Sequence, residues 1–107
     1  MKDSTAEIIK FEGGNGNSIS DAIEIVGAKT FYSGIWAEYE FIINYYEPNN
    51  VEFIEGKTII FSDAIIHHLC VVTKDSEIRN FFFNATGFHN HIEKEDCKTI
   101  KMYYSIN

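Results

Sequence analysis

Ser33-Gly34-Ile35-Trp36-Ala37-Glu38-Tyr39-Glu40-Phe41-Ile42-Ile43-Asn44-Tyr45-Tyr46 is the one stretch of this chain long and periodic enough to predict a full-length helix. Ser33 supplies a start signal, and Pro48 stops the helix just past its end. At 100° per residue, Ile35, Tyr39, Ile42 and Tyr46 fall together as a core-facing stripe, with Trp36 and Ile43 on its flank. On the far side Ala37, Phe41 and Tyr45 are spaced four apart and line up with one another. Glu38 sits beside Phe41 and Tyr45, and Asn44 faces outward.

The surroundings of this helix are acidic. From Thr30 to Gly56 there is no Lys or Arg, but Glu38, Glu40, Glu47, Glu52 and Glu55 give a formal charge of −5. Over all 107 residues the formal charge is −7. Such a surface repels phosphate backbones, so nucleic-acid binding is disfavoured and a basic protein partner is favoured.

Outward from the helix, the pattern predicts mainly strands. Residues 6–11 are apolar enough for an edge segment, and residues 22–26 read as a strand. Residues 51–54 and 57–61 read as two short strands joined by a hairpin turn at Glu55-Gly56. Residues 64–73 and 78–85 form the clearest hairpin, across the polar loop 74–77. Phe81, Phe83 and Ala85 share one face of the return strand, and Phe82 lies on the other. Residues 99–106 read as a last strand. The expected fold is α+β: an antiparallel sheet of about five or six strands packed against one long helix, in a single domain spanning residues 1–107.

Between the first two strands lies Gly13-Gly14-Asn15-Gly16-Asn17-Ser18. A phosphate-binding loop would want a strand before it, a helix after it and a Lys in the motif. The first basic residue that follows is Lys29, so a turn needing positive φ is the simpler reading. No apolar run approaches the ~18 residues that would cross a membrane. The first residues do not read as a signal peptide, so a cytoplasmic location is expected. The two cysteines, Cys70 and Cys97, do not make a disulfide framework.

The Gly-rich turn, Ala22-Ile23-Glu24-Ile25, Gly34-Ile35-Trp36-Ala37-Glu38-Tyr39 and Phe81-Phe82-Phe83-Asn84 with Gly87-Phe88 together carry a resemblance. Across residues 13–90 the chain resembles a group of small, uncharacterised bacterial α+β proteins. In that group a GGxGxS turn precedes a helix carrying G(V/I)xAEY, and a late hairpin ends in a Phe-rich strand. His67-His68 stand where the group tends to have Tyr-Asp, and Asn84 where it tends to have Asp. The resemblance implies a compact α+β domain and no activity. The group's small acidic members look, by analogy, like immunity proteins encoded beside secreted toxins.

No catalytic spacing stands out. Paired carboxylates could be drawn from Glu38, Glu40, Asp63 or Asp75, as chance allows among sixteen acids. Cys70 lies between Leu69 and Val71, an apolar setting without polar orienters. His68, Cys70, His89 and His91 could in principle hold zinc, against the plainer reading of a surface pair and one sheet-face histidine. His67 and His68 point to opposite faces of their strand and cannot serve one site. No cofactor is expected.

The favoured function is a non-catalytic, acidic protein-binding module: an immunity-type inhibitor of a basic bacterial toxin domain, a nuclease being one such toxin. The expected anchors are Glu38, Phe41 and Tyr45, with Glu47, Glu52 and Glu55 nearby. Glu93, Glu95 and Asp96 form a second candidate surface. The alternatives are a small metal- or ligand-binding protein using the His/Cys cluster, or a structural subunit that self-associates as a homodimer through the Phe-rich sheet face.

Overall fold

The computed structural model describes residues 8–90. Within them lie β1 (Lys10–Gly13), β2 (Ile23–Val26), α1 (Phe31–Tyr46), a 3-10 turn (Pro48–Asn50), β3 (Val51–Phe61), β4 (Ala64–Thr73) and β5 (Ile78–Asn84). The sheet has five strands in the order β1-β2-β5-β4-β3. It is mixed: β2 runs parallel to β5, and every other pair is antiparallel. The fold is α+β with one helix on the sheet, as expected. The all-antiparallel expectation needs correcting, because α1, β3 and β4 intervene between β2 and β5 and bring β5 back alongside β2 in the same direction. The predicted strand 99–106 lies outside the described residues.

Helix α1 begins two residues earlier than expected because Thr30, not Ser33, is its cap. The Thr30 hydroxyl accepts from the Ser33 N–H at 3.1 Å, and the Ser33 hydroxyl accepts from the Thr30 N–H at 3.3 Å. That reciprocal pair is a capping box, and it satisfies two donors that the first turn leaves open. Replacing Thr30 by Ala should cost about 1 kcal/mol of unfolding free energy in a urea titration. At the other end Glu47 adopts φ 76° and the 3-10 turn beginning at Pro48 ends the helix.

Strand β3 also departs from expectation. It is one continuous strand of 11 residues, with a bulge between Phe53 and Glu55 where a turn was predicted at Glu55-Gly56. The reversal falls instead at Ser62-Asp63, with Ser62 at φ 58°. Gly56 sits opposite Leu69, within the ladder.

The core lies between α1 and the sheet. Ile42, Val71, Phe83 and Phe88 are completely or almost completely buried, together with Ile23, Ile25, Leu69, Phe81 and Ala85. Full burial of a Val, Leu, Ile or Phe side chain stabilises by roughly 1.5–3 kcal/mol. Phe81, Phe83 and Ala85 do share the helix-facing side. Phe82 faces the other way and stacks on His68, with ring centroids 4.4 Å apart.

The helix is turned further than its periodicity suggested. Its buried residues are Phe31, Gly34, Ile35, Ala37, Glu38 and Ile42. Ala37 and Glu38 are therefore inside, and Trp36 is 50 % exposed. Tyr39, Phe41 and Tyr46 are half-buried and pack on the core. No helix among the described residues is long and apolar enough to cross a membrane.

Candidate functional sites: a buried Glu-His-His chain and an aromatic helix face

Burying Glu38 is costly. A lone carboxylate in an apolar interior is strongly disfavoured, so it must be neutral or paired. Its partner is His67. In β4, side chains alternate between faces, and His67 shares its face with Leu69 and Val71, both core residues. That places the imidazole beneath α1. Glu38 Oε2 lies 2.6 Å from His67 Nδ1, and the two residues are 0 % and 2 % exposed.

The chain continues outward. His67 Nε2 lies 2.9 Å from Nδ1 of His89, in the turn that follows β5. Phe31 and Phe88 wall the pair: Phe31 meets the rings of His67 and His89 at 5.8 and 5.1 Å, and Phe88 meets His67 at 5.6 Å, all edge to face. The turn is held by the N–H groups of Phe88 and His89, which donate to Ala85 O at 3.1 and 2.9 Å. Three elements thus place three titratable groups in line, from a fully buried carboxyl to a half-buried imidazole.

Burial pushes the Glu38 carboxyl above its ordinary value, and the His67 hydrogen bond and charge oppose this. Burial holds His89 below the ordinary imidazole value, with the positive charge of His67 adding to the effect. Tyr39 is raised by burial and by the neighbouring Glu38 charge. The second carboxylate oxygen, Glu38 Oε1, is buried without a hydrogen-bond partner among the described residues.

This geometry corrects the expected docking residues. Glu38 cannot meet a partner, because the His67 bond draws it into the core. Phe41 is half-buried, against Phe11 at 5.0 Å, Phe83 at 5.8 Å and Phe81 at 6.4 Å. Tyr45 is 63 % exposed, and its ring stacks at 6.5 Å on Phe41. Phe41 and Tyr45 line a cleft with Tyr46, Phe81, Asn15, Asn17, Arg79 and Asn80. Among the described residues no acid lines that cleft, so the expected pairing of Glu38 with these two rings is lost.

Glu47, Glu52 and Glu55 are exposed, as expected. Glu52 and Glu55 sit opposite Val72 and Cys70, on the sheet face away from α1. They do not join the helix surface. Glu93, Glu95 and Asp96 lie outside the described residues, as does His91.

The alternative metal set is divided. His68 and Cys70 do share one face, but it is the sheet face away from α1, where His68 bonds Asn80 at 2.8 Å. His89 belongs to the helix side through His67. Among the described residues no group of three or more His, Cys, Asp or Glu is arranged to hold a metal ion.

A second feature, missed in the sequence, is the outward face of α1. Tyr32, Trp36, Glu40, Asn44 and Glu47 are all exposed. Tyr32 and Trp36 stack at 6.5 Å, with 26° between their planes. The four-residue spacing of Tyr32, Trp36 and Glu40 is the sequence signal for this face, and Trp36 belongs to it, not to the flank of the core stripe.

Comparison with protein-family models, with curated proteins and with solved structures finds no match to this chain.

Proposed function

We propose that this chain is a non-catalytic protein-binding module of the immunity type, which blocks a basic toxin domain by docking the outward face of α1 against it. The observation that carries this reading is the exposed Tyr32–Trp36 stack, followed on the same face by Glu40 and Glu47. Large aromatic rings supply the area that anchors an interface at little cost in conformational entropy. Carboxylates around them steer a basic partner and fix its orientation. No Lys or Arg lies between Thr30 and Gly56 to oppose such a partner. Glu38 contributes to the fold, so the surface acids are Glu40 on the helix and Glu47 just past its end.

The test is inhibition and binding with any basic secreted domain that the genes flanking this chain's gene encode. The wild-type chain should neutralise that domain's toxicity. Trp36→Ala should weaken binding by at least about 30-fold, the equivalent of an interface hot spot. Glu40→Lys should chiefly slow association and flatten its dependence on salt. Wild-type affinity in both variants would remove α1 as the interface. Failure of the wild-type chain to bind or neutralise the domain would remove the function.

A further inference from the structure

The Glu38–His67–His89 chain has two hydrogen-bonded links, and each link holds one proton. The carboxylate can accept from His67 Nδ1, and His67 Nε2 can donate to His89 Nδ1. Alternatively, neutral His67 accepts from His89, whose Nε2 then carries a lone pair. A third arrangement has protonated Glu38 donating to His67 Nδ1. All three keep both links. Beyond the first and third arrangements, a further proton keeps both links only if it sits on Glu38 Oε1, which is buried without a hydrogen-bond partner among the described residues. With both imidazoles charged, two N–H groups face each other across the 2.9 Å gap, and one link must break.

The outer link is the one to yield. The inner bond joins two groups that are essentially fully buried, and breaking it would strand a charge in the core. His89 is half-buried, and its charged ring can be solvated. We infer that the Glu38–His67–His89 chain is an acid-opened clasp, which holds the turn at residues 86–90 against the helix–sheet core until one proton too many drives His89 out.

Among the described residues, few other charges face the Glu38–His67–His89 chain. At the register of His67, β3 presents Thr58 and β5 presents Phe83. Helix α1 presents Glu38 and Phe31, with Tyr39 close enough to feel the Glu38 charge. The turn presents Phe88 and His89. Stability alone does not explain the carboxylate, since an apolar residue of similar volume would leave no orphaned oxygen such as Oε1.

The pH dependence has two opposed parts. An unfolded histidine takes up its proton near pH 6.5. Folded His89 resists it, so stability from the outer link is complete above that pH and is lost as the pH falls. Glu38 runs the other way. Folding favours its protonated form, so its contribution is greatest in acid and is lost as the pH rises through its elevated pKa. Global stability sums the two, and a local measurement separates them.

The experiment is amide hydrogen exchange, corrected for intrinsic rate, with imidazole nitrogen NMR from pH 8 to pH 4.5. On acidification His89 should gain its second proton, and the Phe88 and His89 amides should lose protection at least tenfold while the β4–β5 amides keep theirs. His89→Gln cannot take up that proton and should abolish the acid-dependent change. Glu38→Gln lets one proton be shared between neutral His67 and His89 without breaking their link, so opening should move to lower pH. A merely structural carboxamide would leave the midpoint in place. Unchanged protection of Phe88 and His89 down to pH 4.5 would overturn the clasp, as would acid opening that persists in His89→Gln.

Discussion

Glu38→Ala should lower the unfolding free energy by about 3–5 kcal/mol at pH 7, measured by urea denaturation, although the substitution places a better helix former in a helix. Two losses combine. The His67 imidazole, 2 % exposed, loses the partner 2.6 Å away that satisfies its Nδ1. A cavity also opens beneath α1, among residues packed too tightly to close it fully. Replacing both partners, as Glu38→Leu with His67→Leu, removes the desolvated groups together and should recover most of the loss. That asymmetry is the informative result. A cost below about 1 kcal/mol for the single change would mean that the buried bond carries no weight in the fold.

Gly34→Ala should be the second large effect, and again against helix propensity, which favours Ala over Gly by about 1 kcal/mol. A Cβ at position 34 would lie 2.1 Å from Cδ1 and Cε1 of Phe88. Phe88 is fully buried and held in a turn by its own N–H bond to Ala85 O, so the ring has little room to retreat. Either the helix lifts from the sheet or the ring leaves the core. Overpacking alone costs about 1–3 kcal/mol, and expelling the ring approaches the ~3–5 kcal/mol of a Phe→Ala change. Calorimetry or urea titration of Gly34→Ala reads the loss. Adding Phe88→Leu should relieve part of it, because the narrower side chain no longer fills the space above Gly34. A stabilised Gly34→Ala protein would show that helix and turn are not in contact.

Much of the sheet is legible from alternation alone. The β4–β5 hairpin follows from an apolar run, a polar loop and a Phe-rich return, and the opposite facing of His67 and His68 follows from period two. The helix is legible in extent but not in orientation. Its true inner face is centred near Glu38, and an acid there reads as solvent-facing when four other glutamates lie nearby. The resolving signal sat 29 residues away: a histidine at a core-facing position of β4, in phase with Leu69 and Val71. The parallel neighbouring of β2 and β5 leaves no local trace, since it depends on the path of the intervening chain. The unbroken β3 was hidden by Glu55-Gly56, a good turn pair whose bulged neighbour keeps it in the ladder. Trp36 at the surface and Glu38 in the core differ from the stripe that periodicity suggests by one and the same rotation of the helix.

The two sides of the sheet close very different loops. β3, β4 and β5 join through reversals at residues 62–63 and 74–77, so their pairing brings together chain segments that are already close. β2 meets β5 through Ile23 opposite Phe83 and Glu24 opposite Asn84, residues 60 apart in sequence, with the Phe82 N–H donating to Gly16 O at 2.9 Å beyond the end of the strand. Closure entropy grows with the length of chain enclosed, and contacts made across long stretches are late to form. On closure entropy alone the β1–β2 hairpin should be the last piece to pair, and native-state hydrogen exchange should find it the first to open. The Gly16 carbonyl, made available by a φ of 85°, is the extra rung that holds so short a seam shut.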